Sequence, residues 1–208
     1  MQAQMARPAA MSSVVAVVLA GGLARRLGGR DKALRLLHGR TLLDHVLARI
    51  RPQVAAIALS ANGDPARFAA YGLPVLADSV PENPGPLAGI LAGMHWARRA
   101  HPEYPLLLSV PTDAPFLPAD LVFRLLRARE SAGVVCAASL GRRHPVVALW
   151  PAAMADALAD ALAEGVRGVE VFAARHGLTA VEFPAAEVDP FLNINSAADL
   201  DEAARFVG

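Results

Sequence analysis

Between Val14 and Leu37 the sequence runs VVAVVLAGGLARRLGGRDKALRLL. An apolar, β-branched run is followed at once by two glycine pairs, Arg25, Arg26, Arg30 and Lys32. Glycine lets backbone N–H groups come close to a ligand, and cationic side chains neutralise phosphate charge there. Lys32 is the single lysine among 20 basic residues, so the chain's one side-chain ammonium falls inside this stretch. The spacing is neither G-x-x-x-x-G-K-[ST] nor G-x-G-x-x-G, because Gly21 and Gly22 are adjacent and Gly28 follows six residues after Gly22. A basic surface loop without a ligand is the competing account of the same residues.

Other stretches carry chemically suggestive side chains. Asp113 sits in PTDAP, directly after the apolar run LLLSV, with a proline on either side fixing the backbone. A carboxylate there can hold a hard divalent cation, which binds through one or two carboxylates plus substrate phosphates. It can equally form an Asx turn or cap the helix that begins near Pro118. Asp78 and Ser60 end apolar runs, and Asn62 precedes glycine and reads as a turn residue. Asn193 and Asn195 flank Ile194. In extended chain both would point to one side, and a turn leading into the next helix is the alternative. The six histidines show no H-E-x-x-H spacing. His144 reads as a hydrogen-bonded structural histidine and Cys136 as a buried core thiol.

Positioning these residues requires a frame, and strand-like and helix-like segments alternate along the chain. Residues 13–20, 54–60, 73–78, 104–110, 133–139, 144–150 and 178–184 read as strands. Helical patterns cover 41–52, 86–100, 118–131, 151–165, 168–177 and 196–206, with caps expected at Thr41 and Ser196 and Asp44 and Asp199 three residues on. The acidic residues Asp199, Asp201 and Glu202 fall where the last helix's macrodipole favours them. Such alternation implies βαβ units, hence an α/β fold with a mostly parallel sheet. Ligands bind at the carboxyl ends of such strands. The loops after the strands, Gly21–Lys32, Ser60–Asn62, Asp78 and Pro111–Asp113, should therefore meet on one edge.

The stretch from Leu19 to Lys32, LAGG-x-x-x-R-x-G-G-x-D-K, resembles the signature of the molybdenum cofactor guanylyltransferases. These belong to the wider nucleotidyltransferases with a three-layer, Rossmann-like sheet. LADS (76–79), PGPLAG (84–89), PTDAPFLP (111–118), HPVVAL (144–149) and FLNINS (191–196) match further elements in the family's order. Leu27 replaces the family's usual methionine, a volume-conserving change, and Ser60 stands where the family often has asparagine. The resemblance implies GMP transfer from GTP to molybdenum cofactor (molybdopterin), with pyrophosphate released. It implies GTP contacts from Leu19, Ala20, Gly21, Gly22, Lys32, Ser60, Asp78 and Asp113, and Mg²⁺ on Asp113. Lys32, Arg26 and Asp113 are the implied catalytic residues, and Asn193 and Asn195 face the pterin acceptor. Further partners would be molybdoenzymes or their chaperones. A relative using CTP or another phosphate acceptor, or a catalytically idle nucleotide-binding module, remains open here.

Composition bounds these readings. The chain has 208 residues, enough for one domain, and neither a repeat nor a composition shift marks an internal boundary. Residues 1–12 read as a flexible leader and 13–208 as a single nucleotidyltransferase domain. A net charge of +1 gives no general attraction to nucleic acid or membranes, so anion recognition must be local. One cysteine excludes a disulfide framework within the chain and fits a reducing cytoplasm. The apolar run Val14–Ala20 is short for a signal-peptide core and far short of a membrane span.

Overall fold

A computed structural model describes residues 13–21, 31–78, 85–129 and 133–207. The strands are β1 (Val14–Leu19), β2 (Leu36–Leu37), β3 (Arg40–Thr41), β4 (Ile57–Ser60), β5 (Val75–Leu76), β6 (Leu106–Pro111), β7 (Val134–Ser139), β8 (Arg142–Pro151) and β9 (Leu178–Glu182). The helices are α1 (Leu42–Ile50), α2 (Pro86–Ala100), α3 (Leu121–Arg127), α4 (Ala155–Ala163), α5 (Val169–Arg175) and α6 (Ala197–Ala204).

Seven strands form one sheet in the order β5-β4-β1-β6-β8-β7-β9, and β2 and β3 form a separate hairpin. Every neighbouring pair in the large sheet is parallel except those of β8, which runs against both β6 and β7. The expected α/β fold with a mostly parallel sheet is therefore the observed one. β1 explains the layering. Its side chains alternate between faces, so Val14, Ala16 and Val18 enter one core with α1 and α3. Val15 and Val17 enter a second core with α2, α4 and α5. Both faces are covered, which is why the strand reads as continuous apolar sequence.

The expected caps form. Thr41 and Asp44 make a reciprocal capping box on α1, and Ser196 and Asp199 make another on α6. α2 spans the expected residues. It packs close to the sheet because Gly89 and Gly93 carry no Cβ. An added Cβ would fall 2.5 Å from Ser60 Oγ at Gly89 and 2.8 Å from Val17 at Gly93.

Several expected elements differ in extent. The strand expected over 73–78 is two residues long, at the edge of the sheet. The helix expected from Pro118 starts at Leu121, and α4 is preceded by a 3-10 turn over Ala152–Met154. The β7–β8 hairpin turns through Leu140 (φ 52°) and Gly141 (φ 73°), the positive pair that a two-residue I′ turn requires. Beyond it the register breaks, because Ala137 pairs with His144 but Cys136 pairs with Ala148. Pro145 has no N–H for a ladder, and Pro145, Val146 and Val147 bulge out of register with β7. Ser109 Oγ donates to Val146 O at 2.6 Å and accepts from Trp150 Nε1 at 2.8 Å, satisfying polar groups that the bulge would strand.

Candidate active site

Parallel strands deliver their following loops to one edge, and β8, being antiparallel, delivers its beginning there. A cleft of about 560 Å³ opens along that edge, within the usual range of small-molecule sites. One wall comes from Leu19, Gly21, Ser60 and Asp78, the other from Arg142, Arg143, His144 and Asn193. Gly85, Pro86 and Gly89 bring the start of α2 to the cleft. Its N-cap is Gly85, which has no side chain to cap it, and its N-terminal dipole faces the cleft.

Lys32 begins a short 3-10 turn that Asp31 caps by accepting from Ala33 N at 3.0 Å. Its Nζ donates to Asp113 Oδ2 at 2.5 Å and to Asn195 Oδ1 at 2.6 Å. The Lys32 and Asp113 side chains are 14% and 19% exposed, so the pair is sheltered but reachable. The backbone of Asp113 accepts from Ile194 N at 2.9 Å, which fixes the Asn193–Asn195 segment beside it. Among the described residues Asp113 neither caps α3 nor forms an Asx turn, and its buried Oδ1 has no hydrogen-bond partner there. An orphaned buried carboxylate oxygen fits a cation. Among the described residues no group of three or more His, Cys, Asp or Glu could hold a metal by protein ligands alone. An arrangement in which one carboxylate and ligand phosphates share an ion needs no such group.

On the opposite wall Asp78 is fixed twice. Ser60 Oγ donates to its Oδ1 at 3.3 Å and Asn62 Nδ2 to its Oδ2 at 2.8 Å, while Asp78 N donates to Asn62 Oδ1 at 3.0 Å. Asn62, read from the sequence as a turn residue, is thus the stronger partner. Ala20 is buried and donates its N–H to Ser60 O at 2.8 Å, tying the ends of β1 and β4 together. Gly22 and Arg26 lie outside the described residues.

Sequence reasoning missed the support of the far wall. Ser139 Oγ donates to Asp189 Oδ1 at 2.7 Å and lies 2.8 Å from His144 Nε2. The carboxylate can only accept, so the hydroxyl proton goes to Asp189 and the imidazole proton sits on Nε2. Asp189 Oδ1 also accepts from Phe191 N at 3.0 Å, and the His144 ring lies 4.7 Å from that of Phe191. Burial pushes the His144 imidazole below the usual histidine range, Asp189 pulls it back, and Arg142 adds to the downward push. The bonded structural role expected of His144 is the one observed. Cys136 is buried as expected, and desolvation raises its thiol to about 11.

A cation held between a carboxylate and an amide, a second anchored carboxylate and a helix N-terminus suit a nucleotide. Residues 16–180 match the MobA-like NTP transferase domain. The chain belongs to the MobA-like NTP transferase family. A molybdenum cofactor guanylyltransferase of Rhodopseudomonas palustris is 53% identical over 91% of this chain and 92% of its own length. Another, from Acidiphilium cryptum, is 56% identical over 92% of this chain and 94% of its own length. The crystal structure of molybdopterin-guanine dinucleotide biosynthesis protein A from Archaeoglobus fulgidus superposes with a TM-score of 0.70. It covers 92% of this chain and 97% of that one at 24% identity, and so speaks for the shared fold. The three-layer architecture is that of the MobA-like transferases.

Proposed function

We propose that this chain transfers GMP from GTP to molybdenum cofactor (molybdopterin), forming the guanine dinucleotide and releasing pyrophosphate. The observation that carries the reading is Lys32, held by Asp113 on one side and by Asn195 on the other, each two residues along the chain from a residue that lines the cleft, Pro111 and Asn193. The acceptor's terminal phosphate oxygen attacks the α-phosphorus of GTP. A new P–O bond forms, the bond to the β-phosphate bridging oxygen breaks, and pyrophosphate leaves with the electron pair. That acceptor oxygen is already ionised at neutral pH, so no general base is required. Catalysis then rests on positioning and charge stabilisation.

Leu19, Ala20, Gly21 and Gly22 offer backbone to the nucleotide, and Ser60 and Asp78 face its nucleoside end. Lys32, with Arg26, stabilises charge on the departing pyrophosphate. Asn193 and Asn195 orient the acceptor. Asp113 would hold Mg²⁺ through its buried Oδ1, and the bound ion would supply charge neutralisation to the phosphates. We place the catalytic unit in residues 13–208, with 1–12 as a leader, and the protein in the cytoplasm, handing its product to molybdoenzymes or their chaperones. No described helix is long and apolar enough to cross a membrane.

The test is pyrophosphate release by purified protein with Mg²⁺ and molybdenum cofactor, with GTP, CTP or ATP supplied in separate reactions. Release with GTP alone is expected. Release with CTP alone would reassign the base, and no release with any of them would overturn the reading.

A further inference from the structure

The residues on the nucleotide wall come from loops far apart in sequence, and one side chain outside the cleft joins them. Arg67 lies in the 3-10 turn Pro65–Tyr71 that follows β4. Its Nε donates to Asp31 Oδ2 at 2.6 Å, its Nη1 to Asp64 O at 2.7 Å and its Nη2 to Asn62 O at 2.6 Å. The guanidinium also lies 4.6 Å from the centre of the buried Phe68 ring, which holds it from behind.

One end of this clamp leads to Asp78 in the cleft wall and the other to Lys32. Asp31 immediately precedes Lys32 and caps the turn that Lys32 begins, so the Arg67 bond and the cap fix Asp31 through both carboxylate oxygens. Asn62, its backbone oxygen held by Arg67, holds the carboxylate and the backbone of Asp78. A continuous chain of contacts therefore runs Lys32–Asp31–Arg67–Asn62–Asp78. Lys32 serves the phosphate end of the nucleotide and Asp78 its nucleoside end.

We infer that Arg67 is a positioning residue that sets the separation between the phosphate-binding and nucleoside-binding ends of the site. It works through Asp31 and Asn62. Three bonds in fixed directions need the planar fork of a guanidinium, and an ammonium on a flexible stem cannot reproduce them. A ligand spanning both ends gains from their being held at the right distance, whereas a fragment touching one end does not.

This inference rests on the cleft being a GTP site, and the experiment separates the two. Affinities of the wild type, Arg67→Gln and Arg67→Lys for GTP, for GMP and for inorganic tripolyphosphate are measured in Mg²⁺ buffer, with thermal unfolding in parallel. Arg67→Gln is expected to weaken GTP binding about tenfold or more, while GMP and tripolyphosphate each change by less than about twofold. Arg67→Lys, which keeps the charge and loses the fork, should fall between. Steady-state kinetics should show a higher KM for GTP in both variants. Equal weakening of all three ligands would mark a merely structural role and overturn the inference, as would unchanged GTP binding. If Arg67→Gln does not fold, the same comparison on Arg67→Lys decides. Failure of the wild type to bind GTP would instead overturn the reading of the cleft.

Discussion

Lys32 reaches across 81 residues of sequence to Asp113 and 163 to Asn195, so its side chain joins parts of the chain made far apart. If it stabilises the leaving pyrophosphate, Lys32→Ala removes an interaction that strengthens in the transition state. Turnover should fall about 10²–10³-fold, measured as single-turnover GMP transfer, with the far-UV circular dichroism unchanged. His144 supplies a different residue-scale test. Its folded pKa lies below the unfolded value of about 6.5, so the unfolded chain takes up the proton first. The stability it contributes is present above about pH 6.5 and is lost as the pH falls through the folded pKa. Denaturant unfolding at pH 7.5 and pH 5 should therefore show a steeper loss for the wild type than for His144→Asn, which has no ring to charge. Lys32 stood out in the sequence because it is the only lysine, and Asp113 because prolines frame it. Arg67 did not, since one arginine among 19 in a polar loop carries no mark of the three bonds it makes.

Among the elements, α3 depends on a residue outside it. Asp120 makes no side-chain cap, and Gln53, just past α1, takes its place. Buried Gln53 accepts from Val122 N at 2.9 Å and donates to Arg49 O and Pro118 O at 2.9 Å each. Gln53→Ala would take the side-chain acceptor from the buried Val122 N–H and a donor from two carbonyls, and should cost about 2 kcal/mol in equilibrium unfolding while the sheet remains intact. Local signals explain which elements could be read. α2 opens on proline and continues in small and apolar residues, and α1 and α6 carry capping boxes written in sequence. The β2–β3 hairpin was not readable, because its turn is His38-Gly39 (φ 48° and 73°) rather than the usual Asn-Gly or Asp-Gly. The cap from Gln53 was not readable either, since it forms only when two helices pack. The bulge in β8 could be expected from Pro145, but its direction toward the cleft depends on the partner strands.

For the whole molecule, the sequence pattern was enough to place a mostly parallel sheet between two helical layers, because continuous apolar strands need cover on both faces. It was not enough to reveal that β8 runs backwards, since two successive strands joined by a short turn read alike whatever their neighbours do. That reversal has a consequence for how such a protein can change over generations. β5, β4, β1 and β6 form one side of the sheet and come from residues before 112, and β8, β7 and β9 form the other from residues after 133. The described residues proposed for the nucleotide all precede residue 114, and those proposed for the acceptor follow residue 133. A single recombination near residue 130 could therefore inherit base choice from one parent and acceptor choice from another, with the antiparallel seam between β6 and β8 as the join.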